Sequence, residues 1–240
     1  MIYVFLTVII LSPPFWDDPI NNLAMSMNKI FAIGDIHGCF EKLRLLIRVI
    51  GADPQNDTIV FMGDYIDRGS ASRKVVDYII ELKTEYKNVV CLLGNHEAML
   101  MRYLDGVEEE IYLHNGGLVT MQAYGISLSQ KTRERKAKIP SEHLKFFKSL
   151  LTHYETEHYL FVHAGLMPGL ALHEQTTHDI LWIRDEFIDT DYNFGKVVVF
   201  GHTPLSNPVI TPDKIGIDTG AVYGGQLTCV ELPAMKFNQV

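Results

Sequence analysis

Five short apolar runs, each ending in a glycine or histidine and a knot of polar residues, constrain this 240-residue chain more than any other feature. They are "KIFAIGDIHG" from Lys29, "TIVFMGDYIDRG" from Thr58, "VVCLLGNHE" from Val89, "YLFVHAG" from Tyr159 and "KVVVFGHTP" from Lys196. Runs this short and this rich in β-branched residues predict buried strands rather than helices. Between the early ones lie helical patterns. Residues 40–50 put Phe40, Leu43, Ile47 and Ile50 on one face, and Ser70 to Tyr86 does the same with Val75, Val76, Ile79, Ile80 and Leu82 behind a capping serine. Strand alternating with helix predicts an α/β fold with crossover connections. In open sheets of that kind ligand sites gather beyond the carboxyl ends of the strands. All five polar knots sit at that end, so five strand tips are expected to converge on one crevice.

The remaining segments are less regular. Residues 103–157 break the alternation and predict a mainly helical insertion or cap, in which the basic stretch "KTRERKAKIP" reads as a solvated helix face. The tail "KIGIDTGAVYGGQLTCVEL" predicts two more strands joined by a glycine-rich turn at Gly224-Gly225. One domain is expected over residues 27–240. The first 26 residues stay open between three readings. "MIYVFLTVIIL" is short of the roughly 20 residues a membrane span needs and lacks the positive start of a secretion signal. It is a signal or anchor, a packed segment, or a dispensable extension upstream of Met25 or Met27.

Composition excludes some partners. A net charge of −8 disfavours general polyanion binding, so neither nucleic acid nor an anionic membrane is an expected partner unless the N-terminal run is an anchor. Cys39, Cys91 and Cys229 are isolated and odd in number, which argues against a disulfide framework or a zinc ribbon and fits the cytoplasm. Ten histidines point instead towards metal or acid–base chemistry.

The ligand inventory supports that. Asp35 and His37 lie two apart, so in extended backbone both side chains point the same way. Asp64, Asn95, His163 and His202 each follow a separate run. Carboxylate, imidazole and one amide oxygen suit manganese, with iron or zinc as options. Six donors suit two divalent ions sharing a carboxylate: Asp35, His37 and Asp64 on one, Asp64, Asn95, His163 and His202 on the other.

"GDIHG", "GDYIDRG", "GNHE", "HAG" and "GHTP", in that order, together with Asp218-Thr219-Gly220, resemble the signature set of the metallophosphoesterases. More narrowly, they resemble the phosphoprotein phosphatases in their bacterial and phage form. The resemblance runs from about Lys29 to Leu232. It implies the calcineurin-like fold, a central β-sandwich of mixed sheets flanked by helices, and a serine/threonine protein phosphatase acting on a phosphorylated protein or a small phosphomonoester. Asp67-Arg68 matches the phosphomonoester-cleaving members. Symmetrical dinucleoside tetraphosphatases, the alternative enzyme, share "DTGAVYGGQLTC" but usually alter that Asp and end the third motif in Asp where this chain has Glu97. Diesterase relatives finish with a second histidine where Pro204 stands here.

The implied mechanism is in-line attack on phosphorus by a hydroxide bridging two metals, with no covalent phosphoenzyme. Arg68 and Arg184 are expected to clamp the phosphoryl oxygens beside Asn95, because a guanidinium fork matches a phosphate edge. His96 is the expected acid for the leaving group, held in its tautomer by Asp67, while Glu97 sits at the positive end of the next helix. Blander readings apply elsewhere. His114, His143, His153, His158, His173 and His178 receive no role, Cys39 reads as a packing residue, and Tyr223 reads as a packed aromatic rather than a neighbour of the phosphate. A non-catalytic metal-binding interaction module is the alternative from another class, and its usual sign, loss of a ligand or of the acid, is missing from this sequence.

Overall fold

Period-two alternation decides which face each strand buries, and the strands here have two faces to fill. The computed structural model describes residues 28–240; the readings made on the first 26 residues lie outside the described residues. One sheet contains β1 (Ile30–Ile33), β2 (Thr58–Phe61), β3 (Asn88–Cys91), β9 (Thr228–Leu232) and β10 (Lys236–Gln239), in the order β10-β9-β1-β2-β3. The second contains β4 (His153–Glu155), β5 (Tyr159–Val162), β6 (Val197–Phe200), β7 (Val209–Ile210) and β8 (Lys214–Gly216), in the order β4-β5-β6-β8-β7. Each sheet contains three parallel strands: β1, β2 and β3 in one, where β3 is an edge, and β5, β6 and β8 in the centre of the other. Antiparallel strands lie at the other edge of the first sheet and at both edges of the second.

Ala32, Val60 and Met62 from the first sheet meet Phe161, Val199 and Ile215 from the second in a shared apolar layer. Their sequence neighbours point the other way. Phe31, Ile33, Ile59 and Phe61 pack against α1 (Phe40–Ile50), α2 (Ser72–Glu85) and α3 (Asn95–Leu104). Leu160, Val162, Val198 and Phe200 pack with Ile180 and Leu181 of α8 (Thr177–Trp182) and Phe187 of α9 (Asp185–Ile188). Both faces of each sheet are thus apolar, which is why the central strands read as continuous hydrophobic runs. Each fully buried Phe, Val or Ile contributes about 1.5–3 kcal/mol to holding the sandwich together. The β-sandwich of mixed sheets with helices outside is the calcineurin-like fold expected from the sequence.

Three local expectations are corrected. Ser70 does not cap α2; Ala71 precedes the helix with no side-chain cap, and Ser72 is its first residue. The segment 103–157 is helical in α4 (Glu109–Tyr112), a wider turn at Leu113–Gly117, α5 (Leu118–Ala123), α6 (Thr132–Lys138) and α7 (Ser141–Lys148), but its end is edge strand β4 of the second sheet. The tail carries two strands that do not pair with one another: β8 belongs to the second sheet and β9 to the first, and β10 follows as a further edge strand.

Candidate metal centre and acid–base pair

Each parallel strand delivers one polar residue, or one short cluster, at its carboxyl end. Asp35 and His37 follow β1, Asp64 follows β2, Asn95 and His96 follow β3, His163 follows β5, His202 follows β6 and Asp218 follows β8. All of these side chains are buried. The backbone turns sharply to present them: His37 (φ 43), Asp64 (φ 51), Asp67 (φ 70), Arg68 (φ 64) and His202 (φ 64) all adopt left-handed conformations. Such conformations cost about 1–3 kcal/mol each and gather at functional sites. Gly94 is required by proximity, since a Cβ there would lie 2.2 Å from Asp64 Oδ1 and 2.3 Å from Asp64 N.

The sequence-predicted ligands come together around Asp64. Its Oδ2 lies 3.3 Å from His37 Nε2 and its Oδ1 3.5 Å from His163 Nε2. Two groups of donors each lie close enough to hold an ion: His37, Asp64 and His96, and Asp64, His163 and His202. Asp64 belongs to both, the place assigned to the shared carboxylate. Asp35 stands at the edge, its Oδ2 accepting the His202 amide at 3.0 Å, and His96 stands where Asp35 was expected in the first group.

The donors fit divalent cations. His37 Nδ1–H donates to Ile66 O and His163 Nδ1–H to Met62 O, both at 2.8 Å, so each ring turns an unprotonated Nε2 inward, that of His37 accepting from Arg68. Asn95 Oδ1 faces His163 Nε2 at 3.0 Å and His202 Nδ1 at 3.2 Å. Turned over, the same amide would donate to Asp64 and His163. Asp35 Oδ1 and His202 Nε2 are buried without any hydrogen-bond partner. Lone pairs converging in a dry site are costly unless a cation takes them.

Electrostatics agrees. Burial pulls His37 down to about 3 and His202 to about 2, so both are neutral donors at pH 7. Burial first, then the neighbouring Asp218 and Asp64 carboxylates, push Asp35 well above the ordinary range. Burial likewise raises Asp218 to about 6. The sign follows: at mildly acidic pH the raised carboxyls hold protons that a cation must displace, whereas these imidazoles hold none. Loading with Mn²⁺ at pH 5 is therefore expected to release protons, seen calorimetrically as a binding heat that changes with the buffer's ionisation enthalpy. A heat independent of buffer would contradict it.

Beside this cluster, His96 Nδ1–H donates to Asp67 Oδ2 at 2.7 Å. Its Nε2 has no partner and lies 4.0 Å from Asp64 Oδ2. The Asp67 carboxylate is saturated on its other side by the Tyr112 hydroxyl, which donates to Oδ1 at 2.8 Å. The Asp67 amide donates to Ser72 Oγ and Thr120 Oγ1 at 3.0 and 2.9 Å. Glu97, besides starting α3, accepts the amides of Asp64, Tyr65, Ile66 and Gly94. It clamps the loop that carries Asp64. Tyr112, Thr120 and this clamp were not apparent from sequence, because each acts across a long chain separation.

The two arginines flank the cluster differently. Arg68 Nη1 donates to His37 Nε2 at 2.5 Å, and its guanidinium lies 5.5 Å from the Tyr223 ring centroid. Arg184 is exposed at the start of α9 and reaches Thr203 Oγ1 at 3.5 Å. Tyr223 corrects the packed-aromatic expectation: it is 61% exposed, on a turn whose carbonyls at Ala221 and Gly225 are held by Lys42 Nζ. Among the other histidines, His143 is occupied by Tyr124 and Asp77, and His178 stacks on Trp182, whose ring meets His202 edge-on.

A buried, two-group metal-binding cluster beside an Asp–His pair, at the mouth of a double-sheet sandwich, defines a phosphoesterase class of site. The family model for the calcineurin-like phosphoesterases matches residues 28–232, and the chain belongs to that family. It is therefore a hydrolase of the metallophosphoesterase type. Relatives include the asymmetrical bis(5'-nucleosyl)-tetraphosphatase PrpE of Oceanobacillus iheyensis, 31% identical and covering 88% of this chain and 92% of the relative. Serine/threonine-protein phosphatase 1 of Salmonella typhimurium is 28% identical, covering 87% and 94%. A candidate diadenosine tetraphosphatase of known structure superposes with a TM-score of 0.69 at 22% identity, over 90% of this chain and 94% of that one. A yeast (Saccharomyces cerevisiae) serine/threonine phosphatase gives 0.62 at 19%, over 88% and 74%. These structural likenesses bear on the fold alone. Among the described residues no helix is long and apolar enough to cross a membrane.

Proposed function

We propose that this chain hydrolyses phosphate monoesters of alcohols, with phosphorylated serine or threonine side chains of proteins as the substrate class. The observation that carries this reading is the buried Asp67–His96 pair, whose unpartnered Nε2 faces the shared carboxylate Asp64. An alkoxide is a poor leaving group and needs a proton as the P–O bond breaks, and a positioned imidazole supplies about 10²–10⁴-fold. A nucleotide leaving from a phosphoanhydride is a weak base and needs none. Asp67 holds the Nδ1–H of the doubly protonated ring, so that Nε2–H is the proton passed to the leaving oxygen and a neutral imidazole remains.

Asp35, His37, Asp64, Asn95, His163 and His202 would hold two divalent ions, with manganese as the proposed native metal. Bound there, two such ions would supply an acidified water and would withdraw charge from the phosphoryl group. Arg68, which contacts His37, and Arg184, whose charge acts on His163 and His202, would bind equatorial phosphoryl oxygens, turning bidentate recognition into orientation of the ester. Arg68 is part-buried against His37, so a phosphate there competes with little water.

A second reading, hydrolysis of a dinucleoside tetraphosphate, is favoured by the names of several relatives. Specificity constants for a phosphoserine peptide and for diadenosine tetraphosphate, measured with Mn²⁺ supplied, separate the two. The peptide is expected to be preferred. A preference for the dinucleotide of about 100-fold or more, ~2.7 kcal/mol, would overturn the monoesterase reading.

A further inference from the structure

We propose that Tyr112 is a positioning residue for leaving-group protonation, acting through Asp67 on His96. The proposal rests on His96 being the acid. Tyr112 ends α4 in the segment between the two halves of the sandwich, 45 residues from Asp67 in sequence, yet its hydroxyl donates to Asp67 Oδ1 at 2.8 Å. The other carboxylate oxygen accepts from His96 Nδ1 at 2.7 Å. Each oxygen of this fully buried carboxylate thus has one side-chain donor, and the two donors together fix its rotation. A carboxylate held at one oxygen only can turn about its terminal torsion, which is broad for Asp, and swing the imidazole with it.

The surroundings are built to bring that hydroxyl in. Gly117 gives the ring room, because a Cβ there would lie 2.5 Å from Tyr112 Cε1 and Cζ. Thr120, one turn further on, accepts the Asp67 amide and donates to Ser72 Oγ at 3.0 Å. The Gly116 carbonyl accepts the Arg68 amide at 3.2 Å. Three successive contacts from residues 112–120 therefore converge on the two residues Asp67 and Arg68, both of which sit in left-handed backbone conformations that need outside support. The Tyr112 ring itself packs against Tyr103 at 5.1 Å between centroids. Phenylalanine reproduces that packing and removes only the oxygen.

The test is Tyr112→Phe assayed on phenyl phosphate and p-nitrophenyl phosphate, two esters of similar shape whose leaving groups differ in their need for a proton. His96→Asn is run in parallel as the reference for loss of the acid. Turnover of phenyl phosphate is expected to fall about tenfold in Tyr112→Phe, with less than about a twofold change on p-nitrophenyl phosphate and unchanged metal content. Equal losses on both esters would mean general damage to the site and would overturn the proposal. So would an unaltered leaving-group dependence in Tyr112→Phe while His96→Asn shows a steep one, and that result would leave the acid reading intact. If His96→Asn is itself indifferent to the leaving group, the acid reading fails first and the role of Tyr112 falls with it.

Discussion

Asp64→Asn is expected to strip most of the bound metal and to slow turnover by about 10³-fold or more, about 4 kcal/mol of barrier, while the fold survives. Asp64 is the one donor common to both metal-capable groups. Its partners are neutral imidazoles and an amide, so removing its charge leaves Asp35 as the only other carboxylate in the assigned ligand set. Asparagine is the informative replacement. It has the same shape, and at φ 51 it is among the few residues that tolerate a left-handed backbone. Its side-chain oxygen can still accept the His96 amide that Asp64 Oδ1 accepts at 3.1 Å. Metal content by mass spectrometry, turnover and thermal melting check all three statements. A variant that keeps two ions per chain and activity within tenfold would refute the assignment.

The strand tips were legible because both signals are local. An apolar run and the polar knot that ends it lie within about ten residues of each other, and parallel strands necessarily bring their carboxyl ends to one side. What the sequence hid is non-local. Glu97 could be read as a helix-start carboxylate, but its clamp on the Asp64 loop joins residues 31 to 33 apart. Tyr112 and Thr120 reach Asp67 from a segment with no periodic pattern of its own. Ser70 misled because Ser72, two residues on, uses its hydroxyl on the Asp67 amide instead of capping α2. β4, β7 and β10 are short edge strands whose place is set by their partners rather than by an alternating run of their own. Tyr223 looked like core from composition, since an aromatic near two glycines carries no sign of its exposure; only the tether from Lys42, 179 and 183 residues distant from the two carbonyls it holds, shows the turn presented outward.

His96→Asn is expected to cut turnover of a phosphoserine peptide by about 10²–10⁴-fold and to spare p-nitrophenyl phosphate by comparison, because only the alkoxide needs a proton in the transition state. The environment makes this a property of a pair. His96 is wholly buried and held at Nδ1 by a carboxylate that is itself wholly buried, so neither residue can be served by solvent once its partner is gone. Asp67→Asn should therefore move activity in the same direction, since its amide can present its nitrogen to His96 and favour the wrong tautomer. Residues that act as a unit do not add. The double variant should be about as slow as the slower single one, rather than slower by the product of the two losses. Multiplying losses would show that Asp67 and His96 work separately. Full activity of His96→Asn on the peptide with Mn²⁺ supplied would remove the acid altogether, and would shift the balance towards a phosphoanhydride substrate whose leaving group departs unaided.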